Sequence, residues 1–369
     1  MSHIELACVE CGASHEADMQ ALGCESCGSP LDVAYLDPDA HTTDFSALRM
    51  PVPYHADSPT VTMGEGHTPL VELTGVGRDM GGVRVVAKLE FMNPTGSFKD
   101  RGTATMLSVA MEHGVVAVVE DSSGNAGASV SAYAARAGID AHVFAPATAP
   151  EAKMGQIRVY EASTHPTPGP REASTEAAVD FQRQHGMVYA SHNLSPYFVE
   201  GTKTFAYEVA TQMSDGPDHI VIPVGNGSLL LGAWTAYREL ISQGVVSRMP
   251  KLHAIQAEAV MPLAAAFMGT DWKPGAETIA GGIAVGSPPR LQQSLKAIRE
   301  SGGSSLAVTD ASIIAWQKRL ASQEGIFAEP TSAAAFAGLE LLVERGVIGS
   351  DEVVLVPVTG FGLKDALPS

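Results

Sequence analysis

Asn93-Pro94-Thr95-Gly96-Ser97-Phe98-Lys99-Asp100-Arg101-Gly102 sets one lysine in the opening turn of a helix, behind a turn-forming proline and glycine. The positive end of a helix dipole and partial dehydration both weaken a lysine's preference for its charged form. The free amine is the species that condenses with an aldehyde, so Lys99 reads as a Schiff-base nucleophile on a rigid mount. Alone, the stretch is more often just a solvated Lys-Asp-Arg helix start. The flanking sequence decides between the two.

Around this stretch the chain alternates β-rich runs with helical ones. Val83–Leu89 precedes Thr103–Glu112, Val115–Glu120 precedes Ala126–Ala137, and Ala141–Phe144 precedes Ala152–Arg158. His219–Val224 then leads into Leu229–Leu240, followed by the strands Leu252–Ala257 and Glu352–Val358. Such alternation predicts an α/β fold with a mostly parallel sheet wrapped by helices. The proline-rich Thr164–Pro170 reads as a loop, and Leu263–Met268 as a packed helix.

Three turns share one grammar, an apolar strand running into small residues. Ala117–Glu120 leads into Asp121-Ser122-Ser123-Gly124-Asn125-Ala126, which offers backbone amides and the Asn125 side chain at a strand's C-terminal end. Open α/β sheets place ligands there. Ile220–Val224 leads into Gly225-Asn226-Gly227-Ser228, where close-approaching amides and a helix start make an anion cradle with an added hydroxyl. Val353–Val358 delivers Thr359 to a strand end in the same manner. Each turn alone is more often just a turn or cap.

The chain has 369 residues, 45% of them hydrophobic, enough for two or three cores. Its 23 Lys+Arg against 41 Asp+Glu give a formal charge of -18, which repels phosphate backbones and anionic lipid. Nucleic acid and membrane are therefore not expected as partners. No run of 18 apolar residues and no signal-peptide pattern is found, so the expected location is the cytoplasm.

All four cysteines lie near the start, as Cys8-Val9-Glu10-Cys11 and Cys24-Glu25-Ser26-Cys27, each pair followed by glycine. Two such knuckles point four thiolates at one tetrahedral ion, which predicts a structural zinc ribbon. A ribbon this short buries too little apolar surface to fold unaided, so metal binding supplies the missing free energy. His15 reads as a surface histidine, and paired disulfides are disfavoured in a reducing compartment.

The order of these motifs resembles the fold-type II pyridoxal-phosphate enzymes, from Gly64 to the C-terminus, and within that group the threonine synthases. Gly64-Glu65-Gly66-His67-Thr68-Pro69-Leu70, Asn93–Gly102 and Thr359-Gly360-Phe361-Gly362-Leu363-Lys364-Asp365 carry the likeness. The resemblance implies two doubly wound, mostly parallel sheets behind a zinc-ribbon module at residues 1–35 and a linker or arm at 36–60. The catalytic body would span 61–369, with a small mobile subdomain at about 100–205. It further implies that Lys99 carries the cofactor aldehyde and moves protons, and that Asn125 holds the ring oxygen. Gly225, Asn226, Gly227 and Ser228 would bind the phosphate, and Thr359 would face the pyridine nitrogen, leaving the ring a mild electron sink.

Ser122, Ser123, Gly124 and Ala126 would embrace the carboxylate of an amino-acid substrate, and relatives are usually dimers, so a homodimer is expected. The implied reaction converts O-phosphohomoserine and water to threonine and phosphate. Two departures bear on it. Ala126 lacks the hydroxyl common in the family, and Phe198 stands where the family places a phosphate-gripping arginine, upstream of Glu200-Gly201. A ring cannot replace a bidentate guanidinium, so either Lys153, Arg158 or Lys203 takes the phosphate or the substrate has none. The alternative is a threonine or serine dehydratase-type ammonia-lyase or a replacement enzyme, with Phe198 and Tyr197 shaping the substrate pocket. Glu329-Pro330-Thr331-Ser332 also resembles a family motif near the ring, although Thr331 and Ser332 would serve equally as helix caps.

Overall fold

Long uninterrupted apolar runs such as Ile220–Val224 and Val353–Val358 suit strands buried on both faces, and they form parallel sheets. The computed structural model describes residues 3–37, 42–45, 48–169, 171–273, 275 and 277–365. Contacts divide the chain into two units. One takes Met1–Gly66, Asn93–Thr95 and Lys99–Thr204; the other takes His67–Met92, Gly96–Phe98 and Phe205–Ser369.

The first unit holds a four-stranded sheet in the order Ser163–Thr167, Asp140–Pro146, Ala117–Glu120, Val188–Tyr189, all parallel. Ser163–Thr167 corrects the expected loop. Pro166 is tolerated because this is an edge strand, where a missing donor leaves only one side of the ladder unpaired. Pro170 lies outside the described residues. Helices Lys99–Glu112 and Asn125–Ala137 bury most of their faces in one core with Val118, Val143 and Ile157.

The cysteine ribbon, Ile4–Cys8 with Ser14–His15 and Leu31–Tyr35, is an antiparallel sheet whose Ile4, Leu6 and Leu31 enter that same core. Within the expected linker, Thr42–Phe45 and Leu48–Pro51 pair as a hairpin, while residues 38–41, 46 and 47 lie outside the described residues.

The second unit is a six-stranded sheet in the order Ser305–Val308, Lys251–Ala257, His219–Pro223, Val353–Pro357, Arg84–Lys88, Leu70–Glu72. Only the last pairing is antiparallel. Helix Pro330–Glu344 is buried along most of its length and packs Phe336 and Leu339 with Val354, Val356 and Trp316. Among the described residues no helix is long and apolar enough to cross a membrane.

Candidate active site

In the first unit, Lys99 is the first residue of its helix and is half-buried, whereas its neighbours Asp100 and Arg101 are fully buried. The Asp100 carboxylate accepts from the Thr95 amide at 2.7 Å and the Thr95 hydroxyl at 2.5 Å, and Arg101 Nη1 donates to Thr204 Oγ1 at 3.1 Å. The solvated reading of Lys-Asp-Arg is thereby excluded. Asp100 fixes the turn that carries Lys99, and Arg101 ties the lysine helix to Thr204.

Strand Ala117–Glu120 ends in Asp121–Gly124, and Asn125 starts the next helix with Ser122 Oγ accepting from the Gly124 amide at 3.2 Å. A Cβ on Gly127 would lie 1.9 Å from the Ser122 carbonyl oxygen, so the loop closes onto its helix only with glycine there. Ala126 is buried, which makes its missing hydroxyl an apolar packing choice.

Phe198 is also wholly buried, on helix Pro196–Thr202, with its ring against the lysine helix at Gly102. Lys99 Nζ sits 5.5 Å from the centre of that ring. A Cβ on Gly201 would come within 2.2 Å of the Arg101 carbonyl, so Gly201 as well as Gly102 lets the two helices touch.

Two residues that the sequence did not single out, Glu120 and His192, lie beside these. They emerge from neighbouring parallel strands at one carboxyl edge, and His192 Nδ1 hydrogen-bonds Glu120 Oε1 at 2.7 Å. Burial, then the charge of Asp121, pushes the Glu120 carboxyl well above the usual range, while burial, then Lys99, pushes the His192 imidazole well below its own. Both groups are thereby shifted toward their uncharged forms. The available signal was two acids ending an apolar strand, Val118-Val119-Glu120-Asp121, which is an odd place to bury charge.

In the second unit, Gly225–Ser228 and Thr359 follow adjacent strands, so the sheet brings them to one edge. Gly227 has φ +88°, and a Cβ on Gly225 would lie 3.0 Å from the Gly282 carbonyl oxygen. Helix Ser228–Ser242 starts there with no acidic residue in its first turn. Close glycine backbone at the positive end of a long helix fits a phosphate group.

The Thr359 hydroxyl is 2.9 Å from Ser332 Oγ and donates to Glu329 Oε1 at 3.4 Å, with Ser332 Oγ also accepting from the Gly360 amide at 3.0 Å. Thr331 Oγ1 accepts from the Gly282 amide at 3.0 Å. Thr331 and Ser332 are thus tied to this edge and are not helix caps; Glu329 occupies the cap position. The single Thr359 proton rests on a long contact to Glu329, so it can turn to a ring nitrogen that accepts a hydrogen bond, with Ser332 Oγ behind it.

In the ribbon, Cys8 and Cys27 sulfurs are 3.4 Å apart, and Cys11 lies 3.7 Å from both Cys24 and Cys27. These spacings exceed a disulfide by more than an ångström and approach the edge of about 3.8 Å for a tetrahedron with metal–sulfur bonds of about 2.3 Å. Gly12 and Gly28 take φ +71° and +75°, and the Cys11 amide donates to Cys8 Sγ at 3.5 Å. His15 is no free surface histidine, since its Nε2 lies 3.3 Å from Cys24 Sγ.

The first unit thus offers a lysine on a helix start, and the second a glycine cradle at a helix start with a buried threonine at the same sheet's carboxyl edge, each within an α/β layer. Residues 61–360 match the family model of pyridoxal-phosphate dependent enzymes, and the chain belongs to that family. It is 37% identical to the threonine synthase of Methanosarcina acetivorans, over 98% of this chain and 92% of that one. It is 35% identical to that of Methanocaldococcus jannaschii, over 97% and 92%. Among solved structures it resembles maize serine racemase, with TM-score 0.71 and 22% identity over 82% of this chain and 89% of that one, a likeness of fold. The fold is accordingly that of the fold-type II enzymes.

Proposed function

We propose that this protein is a threonine synthase-type lyase that converts O-phosphohomoserine and water to threonine and phosphate. The observation that carries this reading is the likeness to named threonine synthases over nearly the whole chain. Pyridoxal phosphate, when bound, withdraws electrons from the substrate carbons. In our reading Lys99 Nζ holds its aldehyde and moves protons at those carbons, and Asn125 holds its ring oxygen. Gly225, Asn226, Gly227 and Ser228 bind its phosphate, and Thr359 meets its ring nitrogen. Ser122, Ser123, Gly124 and Ala126 take the substrate carboxylate through backbone amides. Zinc held by Cys8, Cys11, Cys24 and Cys27 is structural, and the working form is a cytoplasmic homodimer.

A second reading rests on Phe198. Its ring is fully buried where a phosphate-binding arginine is expected. Of the replacement cations, Lys203 is buried and paired with Glu200 at 2.5 Å, and Arg158 is paired with Glu151. Glu120 and Asp121 add buried carboxyl groups in the same unit as Lys99. These features favour a substrate without a phosphate, handled by ammonia elimination or replacement.

The two readings separate in one assay. The first expects threonine and phosphate in equal amounts from O-phosphohomoserine, and no turnover at millimolar substrate would overturn it. The second expects a 2-oxo acid and ammonia from threonine, serine or a relative. For either, Lys99→Ala should abolish the violet absorbance of bound cofactor.

A further inference from the structure

Cys24 Sγ is met by three donors from outside the cluster of sulfurs. The amides of Ser26 and Cys27 bond to it, and so does the imidazole of His15, whose Nε2 lies 3.3 Å away. Cys8 Sγ, the other buried sulfur, accepts from the Cys11 amide at 3.5 Å. His15 is carried on strand Ser14–His15 opposite Leu6, a fully buried residue of the first unit's core. The neighbouring Ser14 hydroxyl donates to Glu5 at 2.5 Å, so the strand that presents the half-buried imidazole is tied down at its other residue too.

We propose that His15 is a positioning residue for the ribbon metal: its Nε2–H holds the Cys24 thiolate in place and draws charge from that sulfur. The inference rests on the reading that the four cysteines hold zinc. A thiolate that binds metal has no proton to give, so Nε2 carries the proton of this contact. Four thiolates on one divalent ion leave two negative charges in excess, inside a chain whose formal charge is already -18. Each N–H aimed at a sulfur offsets part of that excess and makes the sulfur's electrons harder to remove. The imidazole is not itself a ligand, since the four thiolates complete the tetrahedron. Its effect is to leave Cys24 a poorer nucleophile than a bare thiolate, so that this inner sulfur outlasts the solvent-facing Cys11 and Cys27.

The test uses the full-length holoenzyme with zinc or cobalt(II) in the ribbon. Wild type is compared with His15→Leu and His15→Val, which keep apolar bulk on the strand without a donor, and with His15→Gln, whose amide donates. Thermal unfolding of the zinc forms verifies folding. Competition with a chromophoric chelator should show metal affinity about tenfold lower in both apolar variants, the low end for such outer partners because two amides remain on Cys24. His15→Gln should recover most of that loss. In the cobalt form, read as the cobalt-minus-zinc difference so that the cofactor's absorbance cancels, the sulfur-to-metal charge-transfer band should move to longer wavelength in the apolar variants. A sulfur without its N–H gives up an electron more easily. An unmoved band, an unchanged affinity, or an equal loss in all three folded variants overturns the proposal, because lost packing does not tell a donor from a non-donor. Metal content of the wild type tests the zinc reading separately: a folded enzyme that neither holds nor binds zinc would sink that reading and not merely the role of His15.

Discussion

Gly102 and Gly155 are both helical glycines, yet they have opposite surroundings. A Cβ on Gly102 would strike the Phe198 ring at 2.6–2.7 Å, whereas one on Gly155 meets nothing within 4 Å. Gly155→Ala should therefore stabilise by about 0.5–1 kcal/mol through helix propensity. Gly102→Ala should destabilise by about 1–3 kcal/mol, because overpacking outweighs that gain. Urea unfolding of the two holoenzyme variants checks the contrast. Gly227 is different again, since its φ of +88° is a backbone state that alanine resists. Gly227→Ala is expected to weaken cofactor affinity about tenfold, the equivalent of about 1.4 kcal/mol of strain in the cradle. Titrating the stripped protein with pyridoxal phosphate measures it.

Adjacent strands His219–Pro223 and Lys251–Ala257 carry a buried histidine chain. The Ser304 amide donates to His253 Nδ1 at 3.1 Å, so His253 carries its proton on Nε2 and donates to His219 Nδ1 at 2.8 Å. His219 Nε2 then faces Glu352 Oε1 at 3.1 Å. Burial, then His219, pushes His253 down to about 3, and burial lowers His219 as well. A histidine depressed in the folded state gives full stability above its unfolded value of about 6.5 and loses it as pH falls below that. His253 alone should cost the protein about 2 kcal/mol between pH 7 and pH 5, and more by pH 3. Urea midpoints at the two pH values test this, and His253→Gln should flatten the slope.

Elements of this kind were legible where side chains alone decide. The apolar runs Val83–Leu89 and Leu252–Ala257 correspond to strands Arg84–Lys88 and Lys251–Ala257 within one residue at either end. Ser163–Thr167 was not, because backbone pairing to His142–Pro146 holds a segment whose composition reads as a loop. The glycine cradle and the lysine turn were visible as local motifs. The Glu120–His192 pair was not, since only sheet pairing brings residues 72 positions apart together.

At the scale of the whole molecule, the ribbon is part of the first unit's core and is wired to it a second time. Tyr35 donates to Glu200 Oε2 at 2.5 Å, and buried Lys203 pairs with the same carboxylate while its Nζ lies 5.0 Å from the centre of the Tyr35 ring. Glu200 belongs to the short helix that carries Phe198. Glu200→Gln should cost about 3–5 kcal/mol, since it leaves Lys203 buried without its counter-charge. Stripping the ribbon with a chelator should lower the first thermal transition by roughly 4–8 °C, the equivalent of about 2 kcal/mol, as calorimetry would record. Within the ribbon the exposure is uneven: Cys11 and Cys27 face solvent, while Cys8 and Cys24 are buried. Peroxide should therefore attack the outer thiols first and, on the proposed zinc ribbon, eject the metal. On the proposed zinc ribbon, a cell under oxidative stress or starved of zinc would lose this enzyme by the slackening of the helix that Tyr35 holds through Glu200, with its reactive amine chemically intact.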